Sequence, residues 1–479
     1  MKKIILTITK WQALLIFIFV FLFLIPKNAL AIYDPTTVAN NNFGIHVVDT
    51  NDLDDVAKLV NSNGGDWGYV TIVIQKGERD TKRWQQAFDQ MRKLHLIPIV
   101  RIATAPIPGN DNVWEKPSVD EIDGWVSFLN SLNWVIKNRY VIIGNEPNHA
   151  NEWGGQIDPN GYADYLKLIS QKVKSSNEDF FIMPAGFDAS ANTSKNQLTK
   201  DATMDESVYL KKMFEKDPNV FEYVDGWSSH SYPNPAFSGP GNGIGKGTVS
   251  TFIWELNYLK LLGFQKDLPV FITETGWTHD TDILSTDIGP KMETAFNNVW
   301  SDKRVVAVTP FIYKYIDLPF DNFSWVNKDG LFYDFYNTVQ NLPKISGEPI
   351  QNIKGDILTG ILPKIAVTNS AYHGVLFVKN TGESIWKISN LGATDGKGNR
   401  LTIESMFPET VEPQQIGIFL VDGEFPNNAG QYEDNITLTN DNKFISNTFK
   451  ESVNLIPKIP NLSEILDYLK ITIARRLNF

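Results

Sequence analysis

The 479-residue sequence contains no cysteine at all. A thiol nucleophile, a cysteine-ligated zinc site and a disulfide framework are therefore excluded. Basic residues are also in deficit, with 44 Lys and Arg against 55 Asp and Glu and a formal net charge of −11. This balance argues against a nucleic-acid partner, whose phosphates require a basic surface, and it suits a protein that acts on neutral or polar ligands.

Aromatic residues, in contrast, are plentiful. They make up 12% of the sequence and include 13 Trp and 16 Tyr, which is enough to line a groove with flat apolar faces. The chain is also longer than one average domain, so we predict one large domain followed by a smaller one.

The first 31 residues have the pattern of an export signal. Lys2 and Lys3 precede an apolar run from Ala13 to Ile25, and the "NALA" that follows supplies small residues at a cleavage spacing. We therefore expect residues 1–31 to be a signal peptide and the protein to be secreted or held at the cell surface. The alternative is an uncleaved membrane anchor, because a tilted segment of this length could span a bilayer.

Short apolar runs alternate with longer segments of helical periodicity over most of the chain. The runs are apolar on both faces, as buried parallel strands are. Eight such units predict an α/β fold, a TIM (β/α)8 barrel over residues 32–345. The alternative, a doubly wound open sheet, would need a glycine-rich first turn, which "HVVDTND" lacks. The eight runs are 43–49, 68–74, 96–102, 140–148, 180–186, 224–233, 269–277 and 305–313.

Polar and ionisable side chains occur where the predicted strands pass into the following loops. In a TIM barrel this face holds the active site. Burial of so many unpaired charges would be costly, so their recurrence at one face favours a functional role. The residues are Arg101 at the third strand, Asn145 and Glu146 at the fourth, His230 and Tyr232 at the sixth, and Glu274 at the seventh.

Two of these strand ends carry recognisable motifs. "GNEPN" (144–148) and "ITETGW" (272–277) resemble the two signatures of retaining glycoside hydrolases of clan A, and the resemblance spans most of residues 43–342. It implies that Glu146 is the acid/base and Glu274 the nucleophile. The residue types agree with this chemistry, because retaining hydrolysis needs two carboxyls about 5–5.5 Å apart, one protonated and one ionised.

The same resemblance implies roles for the neighbouring residues. Asn145 would bind the sugar 2-hydroxyl, and Tyr232 would donate a hydrogen bond to the nucleophile beside His230. Arg101 stands where some families of the clan carry an arginine that keeps the nucleophile ionised. His230 could instead be an ordinary core histidine, but its place at a strand end beside Tyr232 favours the site.

Aromatic side chains near the rim are expected to hold sugar rings, whose C–H faces pack on flat planes. Trp277 lies three residues after the predicted nucleophile, and Tyr313 ends the eighth run, so both are predicted to bind substrate. Many relatives in the clan have a Trp on strand eight beneath the catalytic sugar, whereas "TPFIYKY" offers Phe311, Tyr313 and Tyr315. The resemblance therefore does not assign a family within the clan, and sugar and linkage stay open.

One motif suggests metal chemistry instead. Glu146, His149 and Glu152 match a Glu-x-x-His metal spacing. That spacing works on a helix face, and Pro147 at a strand-to-loop exit is incompatible with one. We predict neither a metal nor a cofactor.

A second motif suggests phosphate binding. "SGPGNGIGKGT" (238–248) looks like a phosphate loop, but Pro240 and Gly247 stand where that loop needs a Gly and a Ser or Thr. We interpret it as a flexible loop beside the cleft.

The pattern changes after the barrel. Residues 346–356 are predicted to be a linker, and short alternating runs predict a small all-β sandwich over 357–445. Residues 446–479 are predicted to be a further linker and a short amphipathic helix. That helix would dock on the sandwich or rest on a membrane surface, to which the N-terminal segment offers a second means of attachment.

These observations predict an exported retaining glycoside hydrolase that cleaves β-glycosidic bonds in a polysaccharide or oligosaccharide, most simply as a monomer. The alternative from another class is a non-catalytic carbohydrate-binding barrel at the cell surface.

Overall fold

The computed structural model describes residues 32–110, 112–279, 287–395 and 400–458, with 466–467 and 470–471. The predicted signal peptide lies outside the described residues, as does nearly all of the predicted C-terminal helix. None of the helices within these ranges is long and apolar enough to span a bilayer.

Strands and helices alternate in the first part of the described chain, and each of the eight apolar runs contains one strand. The strands are β1 (Gly44–Val47), β2 (Gly68–Gln75), β3 (Leu96–Ala103), β4 (Arg139–Ile143), β5 (Phe180–Pro184), β6 (Trp227–His230), β7 (Val270–Glu274) and β8 (Val305–Val308). The α-helices described between and after them are α1 (Leu53–Val60), α2 (Thr81–Lys93), α3 (Ile122–Ser131), α4 (Pro159–Ser176), α5 (Glu206–Lys216), α6 (Thr251–Leu262), α7 (Ile288–Asn298) and α8 (Asp334–Asn341).

The sequence encodes several of the helix ends. The side chain of Asp80 accepts hydrogen bonds from the backbone N–H groups of Lys82 and Arg83, which would otherwise be unpaired at the start of α2. Helix α6 ends at Gly263, whose φ of +117° suits glycine and stops the helix. These caps determine the residues at which α2 begins and α6 ends.

The strands form two parallel sheets in sequence order, one of five strands (β1 to β5) and one of three (β6 to β8). Parallel bridges lie at both seams between the sheets. Phe43 pairs with Val308 beside β1 and β8, and Asp188 pairs with His230 beside β5 and β6. Eight strands in sequence order with contacts at both seams are the arrangement expected of a closed barrel.

A cluster of aromatic rings fills the space between the two sheets. Tyr69, Tyr140, Phe181 and Phe271 point inward from β2, β4, β5 and β7, and the rings of Tyr69 and Phe271 lie 6.4 Å apart across the interior. Since these two residues belong to different sheets, both sheets face one common core. The interior is therefore packed, and the polar residues at the strand ends lie above it.

The rest of the described chain is a β-rich region with its own buried core. Its strands are β9 (Gly355–Ile361), β10 (Ile365–Val367), β11 (Ala371–Asn380), β12 (Trp386–Lys387), β13 (Gly392–Thr394), β14 (Arg400–Phe407), β15 (Thr410–Val411), β16 (Ile416–Glu424), β17 (Gly430–Asn440), β18 (Lys443–Phe444) and β19 (Phe449–Ile456). The prediction of a separate β-rich region is confirmed, but β19 extends it into residues predicted to be a linker.

The main strands of this region form one hydrogen-bonded path, β10-β19-β17-β13-β14-β16-β11-β9, where a sandwich was expected to show two separate sheets. The reason is that long strands pass from one part of the sheet to another. Residues 430–436 of β17 pair with β19, whereas residues 437–439 pair with β13. Such strands bend the sheet around its core without breaking it.

The predicted linker 346–356 is held against the α/β part of the chain. Backbone N–H groups of Gly347 and Glu348 donate to Asp66 and Ala39, and the carbonyl of Ile350 accepts from Lys137. The β-rich region contacts the α/β part as well, through a hydrogen bond of 3.0 Å from Asn133 to the Gly382 carbonyl.

Candidate active site

The carboxylate of Glu274, the last residue of β7, is held on both of its oxygens. Arg101 at the end of β3 donates to Oε1, and the hydroxyl of Tyr232 donates to Oε2 at 3.1 Å. The same guanidinium nitrogen of Arg101 donates to Oδ1 of Asn145 at 2.7 Å. Residues from four different strand ends are thereby joined in one hydrogen-bonded group.

The surroundings of Glu274 favour its ionised form. Burial alone would raise its pKa, but the positive charges of His230 and then Arg101 outweigh burial and lower the pKa of Glu274 to about 2. A carboxylate that stays ionised at neutral pH, with donors fixing its oxygens, is poised to act as a nucleophile.

Glu146 lies beyond the end of β4 in an unusual backbone conformation. Its φ is +29° and that of Gly144 is +89°, so the chain turns sharply as it leaves the strand. The backbone N–H of Glu146 donates to the Gly186 carbonyl at 3.0 Å, and its Oε1 lies 2.8 Å from Nδ1 of His230. Positive φ at a residue other than glycine is costly and is commonly kept where function requires it.

The two glutamates face each other across the cleft. A carboxylate oxygen of Glu146, a carboxylate oxygen of Glu274 and a ring nitrogen of His230 all lie within 4.8 Å of one another. Oxygens this close allow both carboxyls to act on one bond, and they are closer than the wide separation, about 6.5–9.5 Å, of a pair that places a water molecule between its carboxyls and the sugar.

His230 lies between the two carboxylates. Its side chain is buried, with Nδ1 2.8 Å from Glu146 and 3.7 Å from Glu274. Burial would lower the pKa of His230, but the charges of Glu274 and Glu146 outweigh burial and raise it. Its ring rests against Gly186, where an added Cβ would come within 2.1 Å of His230 Cδ2. His230 is therefore part of the site and is not an isolated core histidine.

These residues lie at the base of a cleft of about 430 Å³. One group of aromatic side chains in its wall comes from the loop after β3, from α3 and from the loop and helix after β4. A second group comes from the loops after β6 and β8. The two groups are Trp114, Trp125, Trp153, Tyr162 and Tyr165, and Phe237, Phe311, Phe320 and Phe323.

Two aromatic residues predicted to bind substrate do not line this cleft. Trp277 is 2% exposed, packs on Trp300 and donates from Nε1 to the Gly239 carbonyl, because the chain turns at Gly276 (φ +147°) and directs the indole into the interior. Tyr313 is 3% exposed and lies in the core as well. Substrate binding by these two residues stays a prediction that the positions of their side chains do not support, whereas Phe311, Phe320 and Phe323 reach the cleft from the chain after β8.

Sequence reasoning missed His46, the third residue of β1, whose ring is close enough to Arg101 and Glu274 to feel their charges. It is 2% exposed, and neither ring nitrogen has a hydrogen-bond partner among the described residues. Burial, followed by the charge of Arg101, lowers the pKa of His46 to about 3, so the ring is neutral. The available signal was a single histidine within an otherwise apolar strand, "FGIHVVD".

The Glu-x-x-His metal spacing is not assembled. His149 lies against Asp188, with Nε2 2.8 Å from Oδ2. Within the cleft region, the residues that could offer three ligands are Glu146, His230 and Glu274. A cation there would face the fixed positive charge of Arg101, which already donates to Glu274. These residues are therefore better suited to act as a pair of carboxyl groups than to bind a metal ion.

No protein-family model matches the sequence, and no curated protein matches it. Among solved structures, the protein is similar to a monomeric β-xylosidase from Caulobacter crescentus CB15, with 12% identity over 71% of this chain and 75% of that chain and a TM-score of 0.46. It is also similar to a GH39 enzyme from Xanthomonas axonopodis pv. citri, with 10% identity over 84% of this chain and 100% of that chain and a TM-score of 0.44.

A third similar structure is a modular endo-β-1,4-mannanase of glycoside hydrolase family 26 from Cellulomonas fimi, with 10% identity over 88% of this chain and 95% of that chain and a TM-score of 0.40. These neighbours are glycosidases, and similarity at such scores assigns neither a family nor an activity to this protein.

Proposed function

We propose that the protein is a retaining glycoside hydrolase that cleaves β-glycosidic bonds in a polysaccharide or oligosaccharide. The observation that carries this proposal is the pair of glutamates at the ends of β4 and β7, with carboxylate oxygens within 4.8 Å of one another and with Arg101 and Tyr232 bound to one of them. A pair so close suits double displacement, because inversion needs a gap wide enough for water.

In the first step Glu274 attacks the anomeric carbon and forms an ester bond to it. The bond from that carbon to the leaving oxygen breaks, and Glu146 gives its proton to that oxygen. In the second step Glu146 takes a proton from a water molecule, the water oxygen bonds to the anomeric carbon, and the ester bond to Glu274 breaks. Two inversions leave the configuration of the sugar unchanged.

The neighbouring residues support the two carboxyls. Arg101 and Tyr232 keep Glu274 ionised between turnovers, and the shared contact of Arg101 with Asn145 orients that amide toward the sugar. His230 holds Glu146 in place from below. Such preorganised groups lower the barrier because they need no rearrangement during the reaction.

The wider assignments belong to the same proposal. Residues 32–345 would form a closed (β/α)8 barrel that carries the site, and residues 1–31 would direct export to the cell surface or beyond. The seam bridges support the first assignment, and the apolar N-terminal run supports the second.

The test is an assay of hydrolysis across soluble β-1,4-glucan, β-1,3-glucan, xylan, mannan and galactan. We expect new reducing ends with at least one of them and none with the double variant Glu146→Ala, Glu274→Ala. A wild-type protein that binds a glycan but cleaves none would be the non-catalytic carbohydrate-binding barrel instead.

A further inference from the structure

Three of the four acidic side chains in the wall of the cleft contact a basic group, and the fourth does not. Among the ionisable residues that line it, Arg101 pairs with Glu274, and His149 pairs with Asp188. Glu146 is in contact with His230 just below the cleft. The fourth acidic side chain in the wall of the cleft is Glu152.

Glu152 has no basic side chain within salt-bridge distance in the described part of the chain. Lys116, on the neighbouring loop after β3, is engaged elsewhere. Its Nζ lies 2.6 Å from Asp158 and over the ring of Trp153. The charge of Arg101 reaches Glu152, but that guanidinium already donates to Glu274 and Asn145.

The position of Glu152 is fixed by its backbone. It ends a short 3-10 helix, Ala150–Glu152, and its N–H donates to the His149 carbonyl. The residue before it, Asn151, accepts from the N–H of Trp114 at 2.7 Å, which ties the loop after β4 to the loop after β3. The loop that carries Glu152 into the wall of the cleft is therefore braced by its neighbour.

The surroundings of Glu152 disfavour the ionised form of its carboxyl. The aromatic group of the cleft that includes Trp114, Trp125 and Trp153 shares its wall. Burial, and after it the neighbouring charge of Glu146, raises the pKa of Glu152 to about 7. In the free protein this carboxyl is largely shielded from water and has, among the described residues, only the neutral Asn145 side chain as a hydrogen-bonding neighbour, so further donors to it would arrive with the ligand.

We propose that Glu152 is a substrate-binding residue whose carboxylate accepts hydrogen bonds from donor groups of the sugar beside the cleaved bond. In either case the sugar supplies hydrogen-bond donors to the carboxylate. The donors are a pair of neutral hydroxyls or the ammonium group of an amino sugar. The cleft would correspondingly disfavour a sugar carboxylate beside Glu152, because the two groups would carry like charge with no basic side chain of the described chain between them.

This inference rests on the proposed function, and its first test uses kinetics. Glu152→Gln keeps the shape and removes the charge, and Glu178→Gln, at an exposed residue outside the cleft, is the matched control. Both are compared with wild type on the fastest-cleaved neutral oligosaccharide of the glycan panel, on its monodeoxy analogues, and on a chitosan oligosaccharide of equal length.

We expect Glu152→Gln to lower kcat/KM about 10- to 100-fold, mainly through KM, as for the loss of a hydrogen bond to a charged group. If hydroxyls are the donors, the loss appears on the neutral substrate, and one deoxy analogue reproduces it in wild type with no further loss in the variant. If an ammonium is the donor, the loss is confined to the chitosan oligosaccharide. Constants equal to those of wild type on every substrate would overturn the proposal.

A second measurement separates this proposal from the proposed function. NMR of protein with isotope-labelled glutamate should show the Glu152 carboxyl titrating near pH 7, with the resonance assigned by its absence in Glu152→Gln. Saturation with the panel's tightest-binding oligosaccharide should shift that midpoint to lower pH, because donors stabilise the charged form. The measurement needs binding but no hydrolysis, so an unshifted midpoint would refute the role of Glu152 even if the protein cleaves nothing.

Discussion

The hydroxyl of Tyr232 donates a hydrogen bond of 3.1 Å to Oε2 of Glu274. The other oxygen of that carboxylate accepts from Arg101, so both oxygens already accept a donor that stabilises the charged form. Together with the charge of His230, these donors explain why a carboxyl that is 7% exposed remains ionised, and they make Tyr232 and Arg101 testable.

Tyr232→Phe keeps the ring and deletes only the donor. We expect kcat to fall roughly 10- to 1000-fold, the scale of one charge-assisted hydrogen bond in a water-poor site. The acidic limb of the kcat/KM profile should move to higher pH, because that limb reports ionisation of Glu274 in the free enzyme and the lost donor had lowered its pKa.

Arg101→Met should move the acidic limb in the same direction and further, since a full charge is removed. The matched control for Tyr232→Phe is Tyr258→Phe, because the hydroxyl of Tyr258 donates to the Ser207 carbonyl, away from the cleft. Wild-type rates and an unshifted acidic limb in both site variants would mean that these residues are structural.

The two glutamates should respond differently to truncation. Glu146→Ala should spare substrates with excellent leaving groups and be partly rescued by azide, since only proton donation and water activation are lost. Glu274→Ala should abolish retaining turnover on all substrates, because no covalent intermediate can form. Steady-state kinetics on an activated aryl glycoside make the comparison, and equal losses in the two variants would contradict the assigned roles.

The stereochemistry of the product tests the spacing of the carboxyls. Proton NMR recorded during the first minutes of hydrolysis should show the β-anomer before mutarotation, because two successive displacements restore the configuration. Initial appearance of the α-anomer would mean that water attacks directly and that the working separation is wider than the structure shows.

Gly186 tests the position of His230 without touching a titratable group. An added Cβ at Gly186 would come within 2.1 Å of His230 Cδ2, so Gly186→Ala should push the ring away from Glu146 and lower kcat/KM by about 100-fold or more. Gly77→Ala is the control, because nothing lies within 4 Å of a Cβ at that residue. Unchanged kinetics in Gly186→Ala, with an unchanged melting temperature, would show that the contact with His230 does not position Glu146.

The lowered pKa of Glu274 also predicts how stability depends on pH. Its folded pKa of about 2 lies below the unfolded value of about 4.3, so its contribution is present above pH 4.3 and is lost as pH falls toward 2. Urea unfolding of wild type and Glu274→Gln should therefore show a difference in unfolding free energy that shrinks by on the order of 2 kcal/mol over that range. A difference that stays constant down to pH 2.5 would contradict the ionised state.

The strands were predictable from the sequence because a buried parallel strand leaves a continuous apolar run that ends at a polar residue. The same rule brought Arg101, Asn145, Glu146 and Glu274 to one end of the sheets, where the structure has them in contact or close approach. Hydrophobic periodicity therefore predicts which strand carries a residue and at which end of that strand it lies.

Side-chain direction beyond the strand ends was not predictable. Trp277 follows a glycine with positive φ, and that single backbone angle sends the indole into the core. Phe237 and Phe320 reach the cleft from long loops that have no periodic pattern. Glu152 resembled part of a metal motif because its spacing to His149 is visible in sequence, whereas the bond between His149 and Asp188 depends on tertiary structure.

The seams between the two sheets bear on how the protein would lose activity. Glu146 follows β4 of the five-stranded sheet, whereas Glu274 ends β7 of the three-stranded sheet, so the distance between their carboxyls is set by the closure of both seams and by no local segment. One seam bridge includes His230 itself, through its pairing with Asp188. Opening of that seam by an ångström or two would separate acid from nucleophile while each sheet kept its own hydrogen bonds, so inactivation by mild denaturant would precede the loss of secondary structure.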